Sequence, residues 1–282
     1  MNNTALTFIS CDNKYKESTI VIFGAPFDGT TSFHPGTRFA PQAMRSASDG
    51  GIETYSIHQN RDLSDIKACD IGNLTMPIGN SQQAMKLIEK TASKIAQDGK
   101  IPVMLGGEHL VTLGAVRPLA AKYPDLHIIH FDAHSDLRDK YFGQKLSHAT
   151  VMRRIWDIVG DGRIFQYGIR SGEREEVEWG KFHVYTNFFN CNNLDYAVKA
   201  IKDKPCYLSI DLDVLDSSVL PGTGTPEAGG ISFNELIESI FALSGLNIVG
   251  ADITELSPHY DASGGSTLVA CKVLRELLLM LG

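Results

Sequence analysis

The sequence has few cysteines and no long apolar run, and both absences exclude classes of protein. Its five cysteines are odd in number, form no CxxC pair and lie far apart, at Cys11, Cys69, Cys191, Cys206 and Cys271. Buried thiols are therefore expected rather than a disulfide framework or a cysteine zinc site. The start, MNNTALTFISCDN, lacks the basic and apolar segments of a secretory signal, and no run is long enough to span a bilayer. These features predict a cytoplasmic protein.

The sequence also lacks a cationic block. No stretch has five or more Lys and Arg, and 33 acidic against 26 basic residues give a formal net charge of −7. This balance argues against a nucleic-acid partner and against an anionic membrane surface. A small cationic ligand is the partner that the charge favours.

Short aliphatic runs alternate with helical patterns along the chain. Apolar runs bounded by Gly, Pro or polar residues predict strands buried on both faces at 18–26, 101–107, 126–132, 163–170, 205–213 and 247–255. Helical spacing predicts helices at 81–99, after a serine cap, at 231–245 and at 263–281. We therefore expect an α/β fold whose mostly parallel sheet is covered on both sides. Because no linker, repeat or low-complexity segment interrupts the pattern, residues 1–282 are predicted to form one domain.

Polar residues follow four of the predicted strands at the point where each strand ends. In chain order they are His109 in GGEH, Asp132, His134 and Asp136 in HFDAHSD, Asp211 and Asp213 in SIDLDVLD, and Glu255 in ITEL. The ligand crevice of an open parallel sheet lies beyond the carboxyl ends of its strands. Residues two apart in extended backbone point to the same side, so the side chains of each motif are expected to converge there.

Four carboxylates and two imidazoles in one crevice predict a metal centre. The six candidate ligands are His109, Asp132, His134, Asp136, Asp211 and Asp213. Without compensation these acids would repel one another and lose their hydration. Two divalent cations and a shared hydroxide leave a formal charge of about −1, which suits a cationic substrate. Oxygen-rich ligation without thiolate favours manganese or magnesium over structural zinc.

Each of these motifs has a simpler interpretation when it is taken alone. An Asp after a strand commonly caps a turn, and a His after Gly-Gly can be an ordinary hydrogen-bonded loop residue. The prediction of a metal centre therefore depends on the coincidence of all six residues.

At these residues the sequence resembles the ureohydrolase family, which includes arginases and agmatinases. The similar stretches cover almost the whole chain and include GAPFDGTTSFHPGTRFAPQAMR (24–45), NRDLSDIKACDIG (60–72), SIDLDVLDSSVLPGTGTPEAGG (209–230) and TELSPHYDASG (254–264). The resemblance implies an arginase-like, three-layer α/β/α fold. It also implies two Mn²⁺ per chain on the six residues above, hydrolysis of a guanidinium to an amine plus urea, and a homotrimer or homohexamer.

Four side chains are expected to act on the substrate. Asp136, if it bridges both metals, can accept the proton of the attacking hydroxide and pass it to the leaving amine. Glu255 can hold the guanidinium through a forked pair of hydrogen bonds, which is the role that the resemblance implies for it. The resemblance further implies that Thr225 orients the guanidinium and that His148 carries protons between solvent and the leaving amine.

Other roles for the polar residues stay open at this point. Glu255 can instead pair with a surface cation, and His148 can simply begin the helix that follows it. His127 and His130 are expected to be hydrogen-bonded core histidines rather than ligands. His34, in SFHPG, lies on a loop to which no role is assigned.

The far end of the substrate is indicated by the residues after Asp136. Arginase-like members usually have Asn two residues after the last acid of DAHxD, whereas Leu137 and Arg138 follow here. Agmatine, cleaved to putrescine and urea, is therefore expected before arginine. An Arg138 that faces the pocket would favour a guanidino acid such as guanidinobutyrate, unless it turns to solvent or pairs with Asp139 or Glu173. Outside this class, a single-zinc deacetylase-like enzyme and a non-catalytic metal-binding protein remain alternatives.

Overall fold

A computed structural model describes residues 6–282 of the chain. In chain order the strands are β1 (Ile20–Ala25), β2 (Tyr55–Ser56), β3 (Arg61–Asp62), β4 (Ala68–Asn73), β5 (Ile101–Gly106), β6 (His127–Phe131), β7 (Ile164–Ile169), β8 (Tyr185–Phe188), β9 (Pro205–Asp211) and β10 (Asn247–Thr254). The helices are α1 (Ala40–Gly51), α2 (Ser81–Gln97), α3 (Val111–Lys122), α4 (Val151–Val159), α5 (Arg174–His183), α6 (Leu194–Ile201), α7 (Phe233–Ala242) and α8 (Gly265–Leu281).

Eight of these strands form one parallel sheet. Their order is β4-β1-β5-β10-β9-β6-β7-β8, and every neighbouring pair runs parallel. The two remaining strands, β2 and β3, form a short antiparallel hairpin outside it. The middle of the sheet is occupied by β5, β10, β9 and β6, so the carboxyl ends of these four strands meet at one edge.

Helices cover both faces of the sheet. In β1, Ile20 and Ile22 belong to the apolar cluster that includes residues of α1, α6, α7 and α8. Val21 and Phe23 point the other way, into a cluster with α2, α3 and α4. Because successive residues of a doubly buried strand serve opposite cores, such strands are apolar throughout. The predicted three-layer α/β/α fold with a mostly parallel sheet is confirmed.

The six strands predicted from apolar runs are all present, whereas the two edge strands β4 and β8 were not predicted. Four of the six residues of β4 are exposed or partly exposed, as are all four of β8, so neither shows a continuous apolar run. The predicted serine cap of α2 is wrong by one residue. Asn80 caps this helix instead, and its side chain accepts a hydrogen bond from the Gln83 N–H at 2.9 Å.

Several other expectations concern the chain as a whole. The cysteines are unpaired, and within the described residues all but the partly exposed Cys191 are buried. No helix in residues 6–282 combines the length and the apolar character needed to cross a membrane. The single domain over 1–282 stays a prediction, and its first five residues lie outside the described range.

Candidate metal centre and active site

Each of the four central strands ends next to a predicted site residue. Asp132 directly follows β6, Asp211 is the last residue of β9, and Glu255 directly follows β10. His109 lies three residues beyond the end of β5. Since these strands are neighbours and run parallel, their carboxyl ends bring the four side chains to one edge of the sheet.

The two imidazoles lie among the carboxylates. His109 Nδ1 is 3.0 Å from Asp132 Oδ2, 3.1 Å from Asp211 Oδ2 and 3.3 Å from Asp136 Oδ2. Asp132 also lies beside the second imidazole, with its Oδ1 3.4 Å from His134 Nδ1.

Asp213 completes the cluster, with its Oδ2 3.0 Å from His134 Nδ1. The structure therefore brings all six predicted ligands together, and Asp132 lies between the two histidines.

The convergence of these side chains does not come from strand alternation alone. Asp136 has a φ of 52°, in the left-handed region that a non-glycine residue seldom adopts. Its carbonyl accepts hydrogen bonds from Met152 N and Arg153 N at the start of α4, at 3.1 and 3.2 Å, which hold this conformation. Asp213 lies in a 3-10 turn, and its N–H donates to Asp211 Oδ1 at 2.9 Å. The side chains of each motif converge as expected, but turns rather than extended backbone bring them together.

The charges of the cluster perturb the pKa of its members. Burial, together with the negative charge of Asp132, raises the pKa of Asp136 to about 7. Burial and the neighbouring Asp213 raise the pKa of Asp211 well above its ordinary value. Burial would lower the pKa of His109, but the three aspartates that surround its Nδ1 raise it well above its ordinary value. The cluster therefore attracts positive charge, which protons or metal ions can supply.

The donor atoms fit a metal better than they fit one another. His109 Nδ1 is buried and lies within 3.3 Å of three carboxylate oxygens, yet it makes no well-directed hydrogen bond. Such an atom points at a shared centre rather than at one oxygen. Lys and Arg form no ion pair with these carboxylates anywhere in residues 6–282. Carboxylate oxygens and imidazole nitrogens without thiolate are a donor set for Mn²⁺ or a similar divalent cation.

His130 also lies near a potential metal position but has other partners. It forms a close group with His109 and Asp132, as Asp132 does with His134 and Asp213. However, Gln166 Nε2 lies 3.0 Å from His130 Nδ1, and His130 Nε2 lies 2.7 Å from Asp132 Oδ2. Because both ring nitrogens are engaged, His130 orients Asp132 and is not free to bind metal. His127 is likewise a core histidine, with Nδ1 2.8 Å from the Asp125 carbonyl oxygen.

Glu255 is buried against the cluster rather than paired with a surface cation. Its φ is 63°, and its Oε1 accepts the His109 N–H at 2.7 Å. Burial, then the charge of Glu108, raises the pKa of Glu255 well above its ordinary value. Thr225 lies beside it on the same cavity, with its hydroxyl 3.4 Å from Asp213 Oδ2.

His148 combines the two roles considered from the sequence. It is the first residue of a 3-10 helix (His148–Thr150) that leads into α4, and its ring lines the same cavity as Glu255. Its N–H donates to Thr30 Oγ1 at 3.1 Å. Burial and the charge of His134 lower the pKa of His148 to about 4, so the ring is neutral near pH 7 and can accept a proton.

The cavity has a volume of about 190 Å³ and includes residues that were not predicted. These are Ser32, Tyr141, Ala149, Ser171, Gly172 and Glu176. They lie outside the four strand-end motifs, so no spacing pattern connects them to the predicted ligands. Glu108 was also missed, although it stands in the GGEH motif. It is buried and accepts hydrogen bonds from Thr30 N at 2.8 Å and Thr30 Oγ1 at 2.6 Å.

Fold and site together define a class of protein. A parallel α/β sheet whose central strands end in a carboxylate-rich cluster, beside a cavity with a neutral histidine and a buried glutamate, has the parts of a metal-dependent hydrolase.

Comparison with known proteins identifies the family. The model of the Arginase family matches residues 18–280, and the chain belongs to this family. The agmatinase of Bacillus anthracis is 44% identical over 277 residues, which cover 96% of this chain and 95% of the relative. The guanidinobutyrase of Pseudomonas aeruginosa is 34% identical over 272 residues, 92% of this chain and 85% of the relative.

Solved structures agree with this assignment. A proposed agmatinase from Clostridium difficile is 50% identical and superimposes with a TM-score of 0.92, covering 95% of this chain and 98% of that one. The predictions of the family and of a hydrolase acting on C–N bonds are confirmed.

Proposed function

We propose that the protein hydrolyses agmatine to putrescine and urea with two Mn²⁺ bound per chain. The observation that carries the proposal is the cluster in which two imidazoles lie 3.0 to 3.4 Å from four carboxylates, with Glu255 beside it. The agmatinase relative, similar over nearly its whole length, supports agmatine as the substrate. Putrescine formation would place the reaction in polyamine biosynthesis.

The six clustered residues are the proposed ligands. They are His109, Asp132, His134, Asp136, Asp211 and Asp213. When bound, the ions supply Lewis acidity, which lowers the pKa of water toward neutrality.

Two residues of the chain prepare the guanidinium for attack. Glu255 accepts a forked pair of hydrogen bonds from it and so fixes its plane, because a carboxylate and a guanidinium match in geometry. Thr225 lies on the same cavity and orients the group through its hydroxyl. The loss of hydration that raises the pKa of Glu255 also strengthens its attraction for a cation.

Two further residues move protons. Asp136, whose carboxylate lines the cavity, would accept the proton of the nucleophile and pass it to the leaving amine. His148 lines the same cavity and carries protons between the leaving amine and solvent.

Urea release from agmatine, arginine and guanidinobutyrate tests the proposal. The manganese-loaded protein is expected to use agmatine with the highest kcat/KM. A guanidino acid is the second candidate, because Arg138 lines the cavity and a guanidinobutyrase is among the relatives. Urea release from none of the three guanidines would overturn the proposed activity.

The remaining expectations about the molecule stay proposals. We infer a homotrimer or homohexamer without nucleic-acid or membrane partners, and a cytoplasmic location. A single-zinc deacetylase-like enzyme or a non-catalytic metal-binding protein would differ from this proposal in metal content or in urea release.

A further inference from the structure

One permanently charged cation stands at the mouth of the cavity. Among the described residues, Arg138 is the one Lys or Arg side chain that lines it. Its side chain is 27% exposed, whereas that of His109 in the metal cluster is 1% exposed. The exposure gradient places Arg138 at the outer end of the cavity, where the tail of a bound guanidine would extend.

An unpaired Arg138 would decide which tail is accepted. Its guanidinium would attract a carboxylate and repel an ammonium group, and the effect would be strong because the cavity is partly shielded from water. The state of Arg138 is therefore a determinant of specificity.

Arg138 is held on three sides. Its Nη1 lies 3.1 Å from Glu173 Oε1, and its Nε lies 3.5 Å from Glu176 Oε1. Its Cζ stands 4.7 Å from the centre of the Tyr141 ring. Asp139, the other partner considered from the sequence, instead accepts a hydrogen bond from Arg154 at 2.9 Å. We name Arg138, Glu173, Glu176 and Tyr141 the arginine clamp.

The buried carboxylate of the clamp is fixed by contacts of its own. Glu176 Oε2 accepts the Leu137 N–H at 3.2 Å, and Glu176 Oε1 accepts the Glu173 N–H at 2.5 Å. These bonds tie the start of α5 to the segment that carries Arg138. The position of Glu176 therefore does not depend on a bound substrate.

We propose that Glu173 and Glu176 withhold Arg138 from the substrate tail, so that the site selects guanidines with a cationic tail over guanidines with a carboxylate tail. One arginine and two glutamates carry a formal charge of −1, which favours an ammonium group at the mouth. The proposal deepens the proposed function and rests on it.

The test removes one charge from the clamp without disturbing the core. Glu173 is suitable because its side chain is 62% exposed. In Glu173→Gln, the ratio of kcat/KM for agmatine to kcat/KM for 4-guanidinobutyrate should fall by about three- to tenfold. The change in this ratio should come from KM rather than kcat, because the clamp lies near the substrate tail and away from the reacting carbon.

Glu175→Gln is the matched control. Glu175 is exposed, lies on the same helix and carries the same charge, but it makes no ion pair with Arg138. This variant should leave the substrate ratio within about twofold of the wild type. Equal shifts in both variants would show a general effect of charge and overturn the clamp. An unchanged ratio in Glu173→Gln would overturn it as well.

The double variant Arg138→Gln/Glu173→Gln tests the mechanism. Without the arginine, Glu173→Gln should improve the use of 4-guanidinobutyrate much less, since no cation is left to release and only the charge of Glu173 itself is lost. Persistence of the full improvement would contradict the proposal.

Inhibition by product-like amines, which carry either an ammonium or a carboxylate tail, tests the clamp through binding alone. In Glu173→Gln, the inhibition constant of 1,4-diaminobutane should rise and that of 4-aminobutanoate should fall, each by about threefold. Constants that do not move would count against the clamp.

Failure of the clamp and failure of the proposed function give different results. A wild type that prefers agmatine, with a ratio that Glu173→Gln leaves unchanged, overturns the clamp alone. A wild type that prefers 4-guanidinobutyrate overturns the clamp and leaves guanidine hydrolysis standing. A wild type that hydrolyses neither overturns both.

Discussion

The buried carboxylate of Asp70 and the buried carboxylates of the metal cluster are compensated in different ways. Asp70, on the edge strand β4, binds Arg45 through two hydrogen bonds, Nε to Oδ2 at 2.7 Å and Nη2 to Oδ1 at 2.8 Å. It also accepts the Phe8 N–H at 2.9 Å and the Gly72 N–H at 3.0 Å. This acid is fully satisfied by the chain itself.

The metal cluster at the other strands has no such partner. Within residues 6–282 no Lys or Arg pairs with its acids, which lie 3.0 to 3.4 Å from two imidazoles, with His130 2.7 Å from Asp132. Burial is the same in both places, so burial alone does not distinguish a structural acid from a functional one. The difference lies in whether a fixed cation of the protein stands beside the carboxylate.

The largest effect is expected from removal of one acid of the cluster. Asp213→Ala should reduce manganese-dependent urea release by at least about 10⁴-fold, because it removes a proposed metal ligand that lies 3.0 Å from His134 Nδ1. The fold should persist, since the change relieves repulsion among acids. Urea assays and circular dichroism check both parts, and retention of full activity would refute the metal cluster.

At Asp70, which is paired with Arg45, we expect a loss of stability rather than a loss of activity. Arg45→Met should lower the free energy of unfolding by about 3–5 kcal/mol, because it leaves Asp70 buried without its cation. Denaturant unfolding measures this loss. Adding Asp70→Asn to that variant should recover part of the stability, and a failure of Arg45→Met to destabilise would remove the contrast between the two regions.

A backbone clash near the site should cost less. A Cβ at Gly107 would lie 1.8 Å from the Phe27 carbonyl oxygen, so Gly107→Ala must displace the loop that follows β5. We expect a loss of about 1–3 kcal/mol in the free energy of unfolding. Gly245→Ala is the control, because nothing lies within 4 Å of the added Cβ. Equal destabilisation by both would show that close packing at Gly107 is not the cause.

Metal binding should stabilise the protein through the metal cluster and should not depend on the Arg45–Asp70 pair. Manganese at about one hundred times its Kd should add about 2.7 kcal/mol to the free energy of unfolding. The increment should persist in Arg45→Met and shrink in Asp213→Ala. Thermal unfolding with and without a chelator measures it, and an equal increment in both variants would mean that the ions bind elsewhere.

The sequence revealed the inner part of the site better than its mouth. Asp132, Asp211 and Glu255 follow doubly buried strands, whose apolar runs are visible in the sequence, and parallel topology then requires their ends to meet. The turn at Asp136, with its positive φ, has no comparable pattern. At the mouth, the sequence offered Glu173 as one of several partners for Arg138 but not Glu176, because Arg138 meets both across 35 residues or more of chain. Such pairing depends on how α5 packs, which local periodicity does not encode.

Metal stoichiometry tests the central claim most directly, which is that the six clustered side chains hold a pair of cations. The purified protein, dialysed against Mn²⁺ and measured by elemental analysis, is predicted to hold close to two ions per chain. Asp213→Ala measured alongside is predicted to hold fewer. A wild-type protein that releases urea at full rate with one ion or none would contradict the account.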